Sequence, residues 1–244
     1  MGPDAARRGT GSQVPPRVGD AGPPDGPIPV KLGLPTWHPA CDCRRMPQPT
    51  LHTDRLLLVP LADRHLDLSV RLNSDPEVLH HLYGRALGRD EAVATHERWL
   101  ARADEVDSLG YWAAFATAGP PGSADEDEDD GTFVGVLMLP PTHGTDQVPG
   151  PHVAALGYRL VRRSWGQGLA SEGARALLRH AFDTVGQHRV VAQTMAVHLT
   201  SRRVMEAVGM RYVRTYFPVW DDPLPGADKG EVEYELTREM WVTR

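Results

Sequence analysis

The chain has 244 residues, 41% of them hydrophobic and 24% charged, which is enough for one sizeable domain with a buried core. A net charge of −6 argues against nucleic acid as the main partner. No apolar run reaches the roughly 18 residues a membrane-spanning helix needs, so no membrane partner is expected. The only cysteines are Cys41 and Cys43, which excludes a disulfide framework, and no apolar stretch follows Arg7 and Arg8 as a secretory signal requires. A cytoplasmic location is the expectation.

Residues 1–50 hold half of the chain's 22 prolines and almost no periodic apolar pattern. Such a segment does not bury enough surface to offset its ordering entropy, and it reads as a disordered tail. Met46 is the expected native start. His38, Cys41 and Cys43, with His52 further on, are weak metal ligands, because Cys-x-Cys in a Pro-rich setting suits a structural zinc site poorly; no metal is expected. From residue 51 to 244 the pattern is that of a single domain.

Leu56 to Val59 reads as a strand ended by Pro60. Asp63 caps a helix to about Asn73, and Ser74-Asp75-Pro76 restarts a second short one. A longer helix spans 89–106. Tyr111 to Ala118 and Thr132 to Leu139 are strands of a hairpin with an expanded loop, which holds the acidic run Asp125 to Asp130. Val153 to Val161 is a strand and 167–185 a helix. Val190 to Val197 is a strand, and Thr200 to Val208 a helix closed by Gly209. Met210 to Val219 and Val232 to Leu236 are the last strands. The order β-α-α-β-β-β-α-β-α-β-β gives an α/β class, with a mixed sheet flanked by helices.

The informative stretch is Leu156-Gly-Tyr-Arg-Leu-Val-Arg-Arg-Ser-Trp-Gly-Gln-Gly-Leu-Ala170. A strand enters a loop with Gly166 and Gly168, which opens into a helix whose first N–H groups lack internal partners. With the helix dipole this makes an anion cradle suited to a pyrophosphate, and Arg162 and Arg163 add charge. A dinucleotide fingerprint lacks its third glycine at Ser171, and no Lys-Ser/Thr follows to make a Walker loop. An ordinary strand-to-helix turn stays open on glycine spacing alone.

Arg163-x-x-Gly166-x-Gly168 resembles the Arg/Gln-x-x-Gly-x-Gly/Ala signature of the GNAT acetyltransferase superfamily. Val190-Val-Ala-Gln-Thr followed by Ser201-Arg-Arg-Val-Met-Glu-Ala-Val-Gly-Met210 is similar to that family's strand and Ser-x-x-Val-Leu-x-x-x-Gly-Phe helix. Asp75-Pro-Glu-Val and Glu233-Tyr-Glu-Leu look like the branch with ribosomal-protein N-terminal acetyltransferases. The resemblance covers about residues 51–240. It implies the GNAT-like acyl-CoA N-acyltransferase fold, in which two parallel strands, here 153–161 and 190–197, splay apart. It also implies direct attack of an amine on acetyl-CoA in a ternary complex. The cofactor-binding residues it implies are Leu160, Val161, Arg162, Arg163, Ser164, Trp165, Gly166, Gln167, Gly168, Leu169 and Ala170, with His198 and Ser201. Backbone N–H groups of 160–162 serve the pantetheine arm and thioester.

Ser201 matches a serine proposed as the acid near the thiol in that branch; it also sits where a hydroxyl caps its helix. His198 stands where relatives carry Asn, and either contacts the pantetheine arm or titrates. The family's Glu two residues before Gly-Tyr is Ala155 here. Other bases are then Glu77, His80, His81 or His152, or none is needed. Tyr83, Trp99 and Trp112 are candidates for the acceptor wall, with core packing as the alternative. The expected partner is a peptide N-terminus or a small-molecule amine, and a homodimer is kept open. The alternatives are a catalytically weak acyl-CoA-binding sensor or regulatory module, allowed by Ala155 and His198, and a nucleotide enzyme.

Overall fold

A computed structural model describes residues 47–104, 107–117, 132–142, 150 and 152–244. The expectations for residues 1–46, including His38, Cys41, Cys43 and the start at Met46, lie outside the described residues, as does the acidic run 125–130. Residues 47–50, read from composition as the end of the tail, are tied to the sheet. Gln48 Nε2 donates to Tyr111 O at 2.6 Å, and Trp112 Nε1 donates to Pro49 O at 2.8 Å. Among the described residues no group of three or more His, Cys, Asp or Glu is placed to hold a metal ion.

Two sheets carry the fold. The first has the order β1 (Leu51–His52), β2 (Leu56–Pro60), β3 (Gly110–Ala116), β4 (Phe133–Leu139) and β6 (Gly157–Leu160), and every pair is antiparallel. The expected hairpin is the β3–β4 pair. The second has the order β5 (Val153–Ala155), β7 (Arg189–Met195), β9 (Glu231–Thr237) and β8 (Arg211–Tyr216), with β5–β7 its parallel pair. Helices α1 (Leu66–Asn73) and α2 (Arg89–Ala103) lie toward one face of the first sheet. Helices α3 (Leu169–Arg179) and α4 (Leu199–Ala207) close the other.

The faces follow from strand alternation. Leu56, Leu58, Trp112, Ala114, Val190, Ala192, Val232 and Tyr234 pack with α3 and α4 in the main core. The intervening Leu57, Val59, Tyr111, Ala113 and Phe115 pack toward α1 and α2 with Leu72 and Trp99. The α3 stripe of Leu169, Ala174, Leu177 and Leu178 is buried as its spacing requires.

Two expectations change. The second short helix after Asp75 is a run of turns over 76–83, with Leu79 N bonded to Asp75 O and Tyr83 N to Leu79 O. Leu79 is fully buried, and contacts described below hold the rest of the run, so tertiary packing overrides the helical start. The strand expected over 153–161 is two strands, one in each sheet, broken at Leu156. A five-residue helix, α5 (Arg238–Val242), ends the chain without a periodic signature long enough to read.

Candidate functional site

The break at Leu156 opens the sheet. β5 pairs with the start of β7 from Val153↔Arg189 to Ala155↔Val191, and Leu156 N still reaches Val191 O at 2.8 Å. The chain then turns to β4, so the second half of β7 loses its neighbour on that side. The two parallel strands expected to splay therefore diverge ahead of Gly166. In the β4–β6 register Val161 N bonds Val134 O, so the alternate residues Tyr158 and Leu160 turn their main-chain groups toward the gap. This corrects the expectation that the N–H groups of 160–162 act together, because the Val161 N–H is in the ladder. Leu160 O accepts from Trp165 Nε1 at 2.8 Å, which folds the half-exposed indole back over the end of β6.

Beyond β6 a short 3-10 turn, Arg162–Ser164, leads into the glycine loop. Trp165 N is bonded to Arg162 O and Ser164 N to Val161 O. The first amides of α3, Leu169 to Ser171, precede the helix's own hydrogen bonds, the first of which Glu172 N makes to Gly168 O. Gly166 and Gly168 adopt φ of 71° and 78°, where a Cβ is strained. A Cβ on Gly166 would meet nothing within 4 Å, so this side of the turn is open. That donor set fits a diphosphate. Leu169 is buried and Ala170 half-buried against the core, so these two offer the ligand their amides rather than their side chains.

The loop is braced from residues the sequence reading did not single out. Arg55 pairs with Glu172 at 2.6 Å and donates to Gln167 O at 3.0 Å. Gln167 Nε2 donates to Arg163 O at 2.6 Å. Arg163 itself donates to Phe133 O at 2.8 Å, so its guanidinium is engaged on β4 rather than aimed at the loop amides.

Ser201 is buried one turn into α4. Its hydroxyl is 3.1 Å from the Tyr158 hydroxyl, which also donates to Ser201 O at 2.9 Å. The capping position belongs to His198, so the cap reading of Ser201 falls: its hydroxyl bonds Tyr158 instead. Burial pushes the Tyr158 phenol up to about 12, which keeps it neutral. His198 stacks on His81 with ring centroids 4.1 Å apart, and His81 meets His80 edge-on at 4.7 Å. Burial, then His81 and His80, hold the His198 pKa down to about 4, so it is neutral near pH 7. His152 stacks on His188 at the opposite, paired end of β5, away from the gap, and Glu77 is exposed.

On the other side of β6, Arg159 points toward α1 and α2. It donates to Asn73 Oδ1 at 2.6 Å, and its guanidinium lies over the rings of Trp99 at 5.1 Å and Tyr83 at 5.9 Å. Tyr83 and His81 belong to the turn segment 76–83, which thus touches Arg159 on one diverging strand and His198 just past the other. The segment roofs the mouth of the gap. Trp112 is fully buried in the main core, edge-on to His180, with its N–H on Pro49 O. That placement removes Trp112 from the expected acceptor wall. Trp99 stacks on Tyr111 at 5.5 Å and reaches the site only through Arg159. Beside this cluster is a groove of about 270 Å³ lined by α1, segment 76–83 and 161–163.

Ala155 offers no carboxylate, but Glu231 lies on the same face. It pairs in register with Met195, on the stretch of β7 that has lost its neighbour. Glu231 has no partner among the described residues, and burial raises its carboxyl to about 7. Neither composition nor spacing marks it, since only the β7–β9 register sets it beside Met195, one strand in from the gap.

A family profile described as an acetyltransferase (GNAT) domain matches residues 55–211. The FsC-acetyl coenzyme A-N(2)-transacetylase of Aspergillus fumigatus is 38% identical over 198 residues, covering 80% of this chain and 79% of that protein. A probable GNAT-family acetyltransferase from Chromobacterium violaceum superposes with a TM-score of 0.62 at 17% identity, over 88% of this chain and 99% of that one. A spermidine N-acetyltransferase from Vibrio cholerae, solved with CoA and spermine, gives 0.58 at 11% identity over 77% and 98%. At these identities the two structures speak for the fold alone.

Proposed function

The chain belongs to the GNAT acetyltransferase family and is an acetyl-CoA-dependent N-acetyltransferase acting on an amine, and from that premise we propose how its residues divide the work. The amides of Gly166 to Ser171 hold the coenzyme's diphosphate, with Arg162 adding charge at the rim. The main-chain groups of Tyr158 and the N–H of Leu160 align the pantetheine arm in the gap, the way an added strand pairs with an open edge. The amine enters beneath segment 76–83. Its nitrogen attacks the thioester carbonyl, the new C–N bond forms and the C–S bond breaks. Glu231 takes the amine proton through water, and Ser201, oriented by Tyr158, donates a hydrogen bond to the leaving thiolate, which departs as the anion or takes its proton from solvent. Neutral His198 shapes the mouth by stacking on His81.

The observation that carries this reading is the start of α3, whose first amides Leu169 to Ser171 precede the helix's own bonds, beside the open turn at Gly166 and directly beyond a gap in the sheet. Glu231 is supported by its position on the gap face and by a carboxyl titrating near working pH. Of the two acceptor classes open from sequence, a small-molecule amine is taken over a ribosomal-protein N-terminus, because the Aspergillus relative is named for an N(2) transfer. A cytoplasmic site of action is retained; among the described residues no helix is long and apolar enough to cross a membrane. A homodimer is supported by edge strand β8 and its continuation, which expose Tyr212, Val213, Phe217 and Val219.

The test is thiol release by the full chain from acetyl-CoA with a panel of amines and short peptides. Release with small amines, absent with peptides alone, is expected. Tight coenzyme A binding without release on any amine would replace the enzyme mechanism with the acyl-CoA-binding sensor.

A further inference from the structure

We propose that the acetyl acceptor is an amine that also carries a carboxylate, and that Arg159 with the adjoining groove binds that carboxylate. The inference rests on the acceptor entering beneath segment 76–83. Arg159 stays protonated at any working pH, yet its described partners are the neutral Asn73, Tyr83 and Trp99. Burial disfavours its charge, and among the described residues no carboxylate offsets that. Guanidinium is the side-chain group best matched to a carboxylate, because its planar fork donates two parallel bonds, and the rings of Trp99 and Tyr83 lie against it here.

The surroundings point the same way. The chain is acidic overall, with 32 Asp and Glu against 26 Lys and Arg. Among the described residues the groove's lining reverses that balance, with Arg71, Arg162 and Arg163 against one acid, Asp75. Groove and Arg159 cluster are continuous on three elements. At the end of α1, Leu72 lines the groove and Asn73 bonds Arg159. Segment 76–83 supplies Val78 to the groove and Tyr83 to the cluster. Val161 lies two residues beyond Arg159 on the same side of the strand. An acceptor with an apolar middle and an anionic end matches this lining, and a polyamine, cationic at both ends, does not.

The experiment compares matched pairs: glycine, 4-aminobutyrate and 6-aminohexanoate, each against its primary amide. For at least one spacing kcat/KM is expected to favour the acid by about tenfold or more, the scale of a charge-assisted bond. Arg159→Met should bring the ratio to near one while acetyl-CoA affinity stays unchanged, and Arg159→Lys should keep part of it. A packing role would lower both members of a pair together and leave the ratio intact. Equal or reversed preference in the wild type at every spacing overturns the proposal, as does a ratio that survives in Arg159→Met. If Arg159→Met fails to fold, the wild-type ratio and Arg159→Lys decide. If no amine releases thiol, the catalytic reading fails separately; calorimetric titration of the same acids and amides with coenzyme A present then decides, and absence of acid-selective binding overturns this inference.

Discussion

The two sides of the gap are built by different means. In the proposed site, the coenzyme side uses main-chain amides within six consecutive residues, Gly166 to Ser171. Two glycines in the left-handed region and a helix start suffice to present them. On the acceptor side the groups are side chains gathered from α1, segment 76–83, α2, β6 and β9. Asn73 and Arg159, which are 86 residues apart in sequence, meet at 2.6 Å. A site made by local backbone geometry tolerates change in most of its side chains and fails at its glycines. A site made by convergence tolerates backbone drift poorly and is tuned residue by residue.

Three substitutions break or sharpen this contrast. The largest effect is expected from Gly168→Asp, which strains a backbone at φ 78° and sets a carboxylate against the diphosphate. Acetyl-CoA affinity by calorimetry should fall about 100-fold, with acceptor-side ligands unaffected. Unchanged affinity in the folded variant would remove the cradle.

Next is Glu231→Gln. With the carboxyl at about 7, wild-type kcat should rise through neutral pH, and the variant should lose that limb and about 30-fold in kcat at pH 8. The linkage sign is also fixed. The unfolded carboxyl titrates near ~4.3, so between that pH and about 7 the folded state holds a proton that the unfolded state has released. Wild-type stability therefore declines as pH rises across this window and levels off above it. Thermal melting from pH 4 to 8 should show the decline in wild type and its absence in Glu231→Gln.

The smallest effect is expected from Tyr158→Phe, which removes the partner of the Ser201 hydroxyl. A loss of about threefold to tenfold in kcat with unchanged acetyl-CoA affinity marks a positioning role. No change in kcat would show that Ser201 needs no orientation.

The longer strands and helices were legible, because apolar periods of two and of three to four survive in residues such as Leu56 and Leu58 or Ala174, Leu177 and Leu178, whereas the short segment after Asp75 and the five-residue α5 were not. The break at Leu156 was not legible, since its alternation runs on unbroken while its hydrogen bonds change sheet. Trp112 illustrates the same limit for a side chain: as a buried aromatic it fits a pocket wall or a core equally from sequence, and only its bond to Pro49 and contact with His180 assign it to the core. His81 and His198 were each noticeable separately; their stacking depends on segment 76–83 folding as turns across the gap.

By itself the sequence determined the order of the longer elements, the glycine turn before α3 and the serine after the second parallel strand. These depend on φ preferences, periodicity and spacings within a few residues. Tertiary structure alone decided where the sheet opens, that Glu231 is half-buried on the face of Ala155 one strand in from the opening, and that Arg159 lies among aromatic rings with no acid beside it among the described residues. Such facts depend on strand register and long-range packing, which place side chains from distant segments in one desolvated volume and set the charge each of them holds.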